Sequence, residues 1–250
     1  LCRAVSPAIA DCELSFIGRE PIDAAKAQRQ HANYVALLRQ LGAEVIALPS
    51  EPDLPDSVFV EDTVLMFDDL AVLTRPGALS RRPEVAAIQQ TVRQVREIVH
   101  EIQAPGTLDG GDVLRIGKQV YVGRSARSNQ AAIDQLADFL RPFGYQVHAV
   151  VTRGCLHLKS AVTALDDETV LLQPRWVDRG QFADYRIIEV DDTEEHAANV
   201  LRVGDDLLMP DNFPRTRQRL LDAGYRVGTV DVSELQKAEG AVTCCSLLLA

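Results

Sequence analysis

Two hundred and fifty residues suffice for one large domain with ample core, and 46% hydrophobic with 25% charged residues is the balance of an ordinary globular chain. No apolar run approaches the roughly 20 residues of a membrane span. The net charge of -10 argues against nucleic acid or an anionic membrane as main partner and suits a cationic small molecule.

The first residues, Leu1 to Pro7, read as a short strand entering a turn rather than a signal peptide. Glu20-Pro21-Ile22-Asp23 opens a helix to about Leu41, with Ile22, Ala25, Tyr34, Val35, Leu38 and Leu41 near helical spacing. Gly42 stops it, and Glu44 to Pro49 extends. A second helix runs from Arg82-Pro83-Glu84 to about Ile102, with Val85, Ile88, Val92, Val95 and Val99 on one face, and ends near Pro105 without a glycine stop. The helix–glycine–strand junction returns twice. Leu136 to Phe143 meets Gly144 before the strand Tyr145–Val151, and Arg215 to Ala223 meets Gly224 before Tyr225–Asp231.

Between these helices a polar residue repeatedly precedes a strand, a tight turn and another strand. The marks are Asp62, Asp109, His157, Asn199 and Cys244, the last before a final strand, at spacings of roughly 42–48 residues. Such a period predicts a repeat array of strand–strand–helix–strand units. Five marks predict five α/β blades around a pseudo-fivefold axis, with the terminal segments sharing a blade. The alternative is an α/β sandwich with accidental spacings. In the propeller all five marked side chains converge at one end of the central channel, and such convergence is the usual signature of catalysis.

Cys244 with His157 supports nucleophilic attack, because the thiolate reacts and the imidazole moves protons. Asp62 and Asp109 ask for a cation, and a guanidinium fits best, being planar, always charged and rich in N–H donors. Each residue also has a plain structural reading. Cys244 and Cys245 could be buried hydrophobes, Asp109-Gly110-Gly111 a turn, Glu61 and Asp62 a solvated strand end, and His157 a satisfied structural histidine. Asp109, His157 and Cys244 could also ligate zinc, but HExxH and paired-cysteine spacings are missing, so no metal is assigned. The five cysteines, Cys2, Cys12, Cys155, Cys244 and Cys245, are odd in number and scattered, which points to free thiols and the cytoplasm.

Five stretches carry a family resemblance: Pro55 to Asp62, Thr74 to Arg82, Leu108 to Asp112, Leu156 to Ser160 and Thr243 to Ser246. Through them the chain resembles the dimethylarginine dimethylaminohydrolases of the guanidine-modifying pentein superfamily. The resemblance implies a five-bladed α/β propeller forming a single catalytic domain over residues 1–250. It implies hydrolysis of Nω-methylated arginines to citrulline and methylamine or dimethylamine through a covalent cysteine intermediate, without a cofactor. It assigns Cys244 as nucleophile, His157 as proton donor and acceptor, and Asp109 as the carboxylate orienting the histidine and the guanidinium. Asp62 matches the carboxylate that grips the guanidinium, with Asp56 and Glu61 in the same substrate-binding stretch. Arg81 and Arg127 match cations for the substrate α-carboxylate, and Leu14 and Ala238 backbone positions for its α-amino end.

Two departures stand out. Arginine deiminases carry His-x-Asp where this chain has His157-Leu158-Lys159, which favours a methylarginine over arginine. Glu239 precedes Gly240 where the family often has Asp, and little is expected of it. The segment Asp11 to Arg19 is the candidate lid. The rivals are an arginine deiminase or amidinotransferase on the same scaffold, or a non-enzymatic propeller that binds a partner. A monomer or homodimer acting on a small cationic amino acid is expected, with no nucleic-acid or membrane partner.

Overall fold

The computed structural model describes residues 1–249. The chain opens with β1 (Cys2–Arg3), α1 (Ala24–Gln40) and β2 (Ala47–Leu48). The first full repeat is β3 (Val64–Met66), β4 (Leu70–Leu73), α2 (Pro83–Val95) and β5 (Ile98–Glu101). The second is β6 (Val113–Ile116), β7 (Gln119–Arg124), α3 (Gln130–Leu140) and β8 (Gln146–Val151). The third has the one-turn helix α4 (Leu158–Ala161), β9 (Val162–Ala164), β10 (Thr169–Leu172) and β11 (Arg186–Glu189). The fourth is β12 (Leu201–Val203), β13 (Asp206–Pro210), α5 (Pro214–Asp222) and β14 (Arg226–Val230), followed by the short α6 (Ser233–Gln236).

Each full repeat forms its own three-stranded sheet, the first strand antiparallel to the second and the second parallel to the third. Parallel pairing needs a crossover, which a helix supplies in the first, second and fourth repeats. The fifth unit is split between the termini. β1 pairs in parallel with β2, and Leu1 and Leu247 exchange backbone hydrogen bonds beside it. The first strands of the four sheets and the Ser246–Leu248 segment line one cavity of about 530 Å3 on the axis. This is the five-bladed α/β propeller expected from the repeat period.

The helices wedge between neighbouring sheets. Ala132, Ile133, Leu136 and Leu140 of α3 join Leu65, Phe67 and Val72 of the first sheet to Val120 and Val122 of the second. Val85, Ile88 and Val92 of α2 pack on Val64, Ala71, Leu73 and Leu247, tying the first unit to the split fifth. Each such buried aliphatic side chain contributes about 1.5–3 kcal/mol of transfer free energy. Asp23 caps α1 by accepting from the Lys26 N–H, and Asn129 caps α3 by accepting from the Ala132 N–H.

The three glycine junctions are structurally identical. At Gly42, Gly144 and Gly224 the backbone turns left-handed, at φ 90°, 77° and 95°. In each, the glycine N–H and the next N–H bond back to two carbonyls of the last turn, as in Ala43 N–H to Leu38 O and Gly42 N–H to Arg39 O.

Several boundaries differ from the sequence expectation. The second helix ends at Val95, not Ile102, and residues 98–101 form β5. Its apolar spacing continues smoothly to Val99, yet Arg96 is extended at φ -142° and Val99 pairs with Ala71. The third helix begins at Gln130 because Asn129 caps it there. The expected strand at Glu44–Pro49 shrinks to Ala47–Leu48. The third unit has a 3-10 turn, Arg179–Phe182, in place of a crossover helix. After Cys244 the chain forms turns, and its extended end meets Leu1 without forming a regular strand.

Candidate active site

The marked residues end the connections that lead into the first strand of each unit. A 3-10 turn at Val60–Thr63 presents Asp62, and another at Gly110–Asp112 follows Asp109. His157 is the residue before α4, and Cys244 lies in the turn after Val242. Asp62, His157 and Cys244 line one small cavity, together with Asp56, Arg127, Leu156 and Ala238. Asp109 sits behind its wall. Its Oδ2 is 3.0 Å from His157 Nε2, and its Oδ1 accepts from the Gly77 N–H. Asp62 Oδ1 accepts from the Gly111 N–H at 2.8 Å and lies 4.0 Å from His157 Nδ1.

Gly110 and Gly111 are therefore not a solvated turn. A Cβ on Gly111 would stand 2.5 Å from His157 Nδ1, and one on Gly110 would overlap the Glu61 carbonyl. Gly111→Ala is expected to displace the imidazole and lower turnover by about 100-fold, the scale of a small misplacement at a reacting centre. Steady-state kinetics with a thermal melt checks this; turnover within threefold of wild type contradicts it.

Electrostatics assign charges to the cluster. Burial alone would lower the His157 pKa. The charge of Asp62 and the Asp109 hydrogen bond outweigh it and raise the imidazole from 6.5 to about 9. Burial would raise Asp62, but His157 and Arg81 hold its carboxyl well below the usual carboxylate range. Burial, followed by the charges of Glu61 and Asp62, pushes the Cys244 thiol up to about 12. At neutral pH the site thus holds an imidazolium and a protonated thiol. Since the folded pKa of His157 lies above its ordinary value, its stabilisation is full below pH 6.5 and lost as pH rises through about 9. An NMR titration of the His157 ring is expected to show one step near pH 9; a step near 6.5 contradicts the assignment.

The other expected site residues separate into distinct places. Arg81 is buried, and its donors are taken by Asp62 Oδ2 at 2.5 Å, by both oxygens of Glu84, and by the carbonyls of Asp56 and Phe59. It lines the cavity but is committed to holding Asp62. Among the described residues the Arg127 guanidinium makes one hydrogen bond, to Ser15 Oγ, and a looser 3.6 Å ion pair with Asp109, so it keeps donors for an incoming carboxylate. Asp56 lines the cavity and accepts from the Glu13 N–H. Leu14 packs toward the core beside α1, and Glu13 rather than Leu14 faces the cavity. Glu61 faces the opposite way from Asp62: it bonds Lys159 and Thr243 and lines the rear cavity.

Some contributors carried no expected role. Asp112 accepts from the Leu158 N–H at 2.9 Å and from Ser125 Oγ, fixing the chain just after His157. Burial pushes Asp112 up to about 6. Asn199, expected to converge with the other four marks, does not line the catalytic cavity: it donates to Thr243 Oγ1 and accepts from the Thr243 N–H, clamping the residue before Cys244. Glu239, of which little was expected, stands at φ 58° and accepts from the backbone N–H groups of Ser15, Phe16 and Ile17. This latch ties the candidate lid segment, whose Glu13 lines the catalytic cavity, to the stretch before Cys244; the cavity itself holds about 20 Å3, room for little more than one water. Among the described residues, Asp62, Asp109 and His157 are also the set whose ligand atoms approach closely enough for a metal, all within 4.8 Å. Cys244 does not join them, and their lone pairs already serve Arg81, Gly111, Gly77 and one another.

Comparison with known proteins decides the family. The family model described as N,N dimethylarginine dimethylhydrolase, eukaryotic, matches residues 15–249. The chain belongs to the dimethylarginine dimethylaminohydrolase family. A dimethylarginine dimethylaminohydrolase of Streptomyces coelicolor is 42% identical over 250 residues, covering 100% of this chain and 96% of the relative. The Pseudomonas aeruginosa enzyme, solved as a cysteine-to-serine variant in complex with citrulline, superposes at a TM-score of 0.94 with 36% identity, covering 98% of this chain and 96% of that one. A histidine-to-glycine dimethylarginine dimethylaminohydrolase, solved as an adduct with S-methyl-L-thiocitrulline, superposes at 0.92 with the same identity and coverage. The chain is thus an enzyme of this hydrolase family on the pentein fold, and among its described residues no helix is long and apolar enough to cross a membrane.

Proposed function

We propose that this chain hydrolyses Nω-methylated arginines to citrulline and methylamine or dimethylamine, with Cys244 as nucleophile and residues 1–250 acting as one catalytic domain. The observation that carries this reading is the shared cavity. A thiol, an imidazolium held by two carboxylates and a lightly engaged arginine face the same space, which suits a substrate cationic at one end and anionic at the other.

The segment latched by Glu239 must open to admit the substrate, because the cavity holds about 20 Å3; Arg127 then takes the α-carboxylate, and the α-amino group lies toward Asp56 and the backbone at Ala238. The guanidinium lies beside Asp62 and over Cys244. Its positive charge offsets the carboxylates that hold the thiol at about 12, so the thiol proton leaves for solvent as the cation settles. The sulfur adds to the guanidinium carbon. His157, with Nε2 held by Asp109, gives the proton at Nδ1 to the methylated nitrogen, and the C–N bond breaks to release the amine. The thiouronium left on Cys244 is attacked by water, which gives one proton to the now neutral His157. The hydroxyl proton passes to sulfur as the C–S bond breaks, yielding citrulline.

Preference for methylarginine over arginine finds support in Lys159. Where deiminases place a carboxylate for the free guanidinium N–H groups, this chain has a lysine, and it is turned away to Glu61. All five cysteines are unpaired, which supports a reducing, cytoplasmic setting. The test is acid quenching during turnover of dimethylarginine, followed by mass spectrometry of the Cys244 peptide. A mass increase equal to the substrate less dimethylamine is expected on Cys244; the adduct on another residue overturns the assignment.

A further inference from the structure

Beyond Leu156 lies a second, mainly apolar cavity of about 280 Å3, lined by Phe16, Trp176, Phe213 and Ala241, with polar edges at His196 and Asn212. It shares Leu156, Glu239 and Gly240 with the catalytic cavity. Of these three, Glu239 is tied to the lid backbone and Gly240 has no side chain, so the Leu156 side chain is the movable part of the partition. The other apolar walls of the catalytic cavity are fixed. Phe59 is buried against Gly240, and Ala238 is buried and small.

We infer that Leu156 sets the size limit for the Nω substituent, and that the space behind it is a latent apolar subsite for larger Nω-alkyl or Nω-arylmethyl groups. This rests on the hydrolase reading. The departing nitrogen must lie next to His157, its proton donor, and Leu156 directly precedes His157 in the chain. The other walls of the cavity are the fixed Phe59 and Ala238, and carboxylates, the thiol and two arginines, which apolar substituents avoid. The substituent therefore points at Leu156. One or two methyl groups fit against it, whereas a longer group collides with it. The aromatic-lined space beyond is close in size to the smallest small-molecule pockets, roughly 300 Å3.

The test compares kcat/KM for dimethylarginine and Nω-benzylarginine within each variant, so that a general loss of activity cancels. Leu156→Ala is expected to shift the ratio toward the benzyl substrate by about 10-fold or more, and Leu156→Val by less in the same direction, the range of one or two methylenes in an apolar pocket. Adding Ala241→Leu, which fills the second cavity, is expected to reverse the shift. An unchanged ratio in both single variants, or a shift that survives Ala241→Leu, overturns the inference. Should Leu156→Ala fail to turn over, calorimetry of Nω-benzylarginine on the Cys244→Ser background, with and without Leu156→Ala, gives the same answer through binding, and equal affinities overturn it. Failure of the hydrolase reading is recognised separately, as wild-type enzyme that makes no citrulline from dimethylarginine.

Discussion

Cys244→Ser is expected to lower citrulline formation by about 10,000-fold or more, the scale seen when a covalent nucleophile is removed. Serine nearly preserves the volume and the hydrogen-bonding capacity at a partly exposed position, so the fold should be untouched. What changes is the nucleophile. A thiol already pushed up to about 12 can still ionise when a guanidinium enters. An alcohol in the same field cannot, because its ordinary pKa is far higher and the carboxylates of Glu61 and Asp62 raise it further. Methylarginine should still bind within several-fold of wild type, since the carboxylates and Arg127 remain. Calorimetry and a citrulline assay on the same preparation separate the two effects. Residual turnover above about a hundredth of wild type would move the nucleophile elsewhere.

Asp62→Asn is expected to damage stability and catalysis together. Arg81 is buried, and Asp62 is one of its two carboxylate partners. Removing one partner of a buried ion pair typically costs about 3–5 kcal/mol. Burial raises Glu84, the remaining partner, to about 7 despite Arg81, and the charge of Asp62 adds to that rise, so in the variant Glu84 takes its proton at a lower pH and the imbalance should grow there. The same change removes the charge that contributes most to raising His157, so the imidazole should titrate closer to 6.5 and no longer be a reliable acid at neutral pH. The guanidinium also loses an acceptor. A fall in kcat/KM of about 1,000-fold is expected, with a lowered denaturation midpoint and a His157 titration shifted downward. Normal kcat/KM in a destabilised protein would leave Asp62 a purely structural role.

The sequence exposed the repeat because its punctuation is local. A glycine forced left-handed after a helix leaves a residue-level mark, and Gly42, Gly144 and Gly224 each leave one. The polar residue opening each unit leaves another. Where punctuation is absent the boundary is hidden: Arg96 ends α2 by an extended backbone with no marker residue, so β5 merges with the helix in the apolar pattern. Orientation was hidden too. Glu61 and Asp62 are adjacent, but a 3-10 turn sends one side chain to the rear cavity and the other to the catalytic one. Glu84 was legible in principle, as a carboxylate three residues after Arg81 at a helix start. Glu239 was not, because its partners are backbone N–H groups some 222 to 224 residues away. Asp112 stood in plain view after two glycines, whose role as close-approach positions becomes visible only once the Glu61 carbonyl packs on Gly110 and His157 on Gly111.

On the proposed function, Cys244, served by His157 and the two carboxylates, hydrolyses methylated arginine. The most direct test is a citrulline assay of the wild-type chain with asymmetric dimethylarginine and arginine side by side, and Cys244→Ser in parallel. Citrulline from dimethylarginine, little from arginine and none from the variant is the predicted result. Comparable or faster turnover of arginine would contradict it and place the chain functionally with the deiminases.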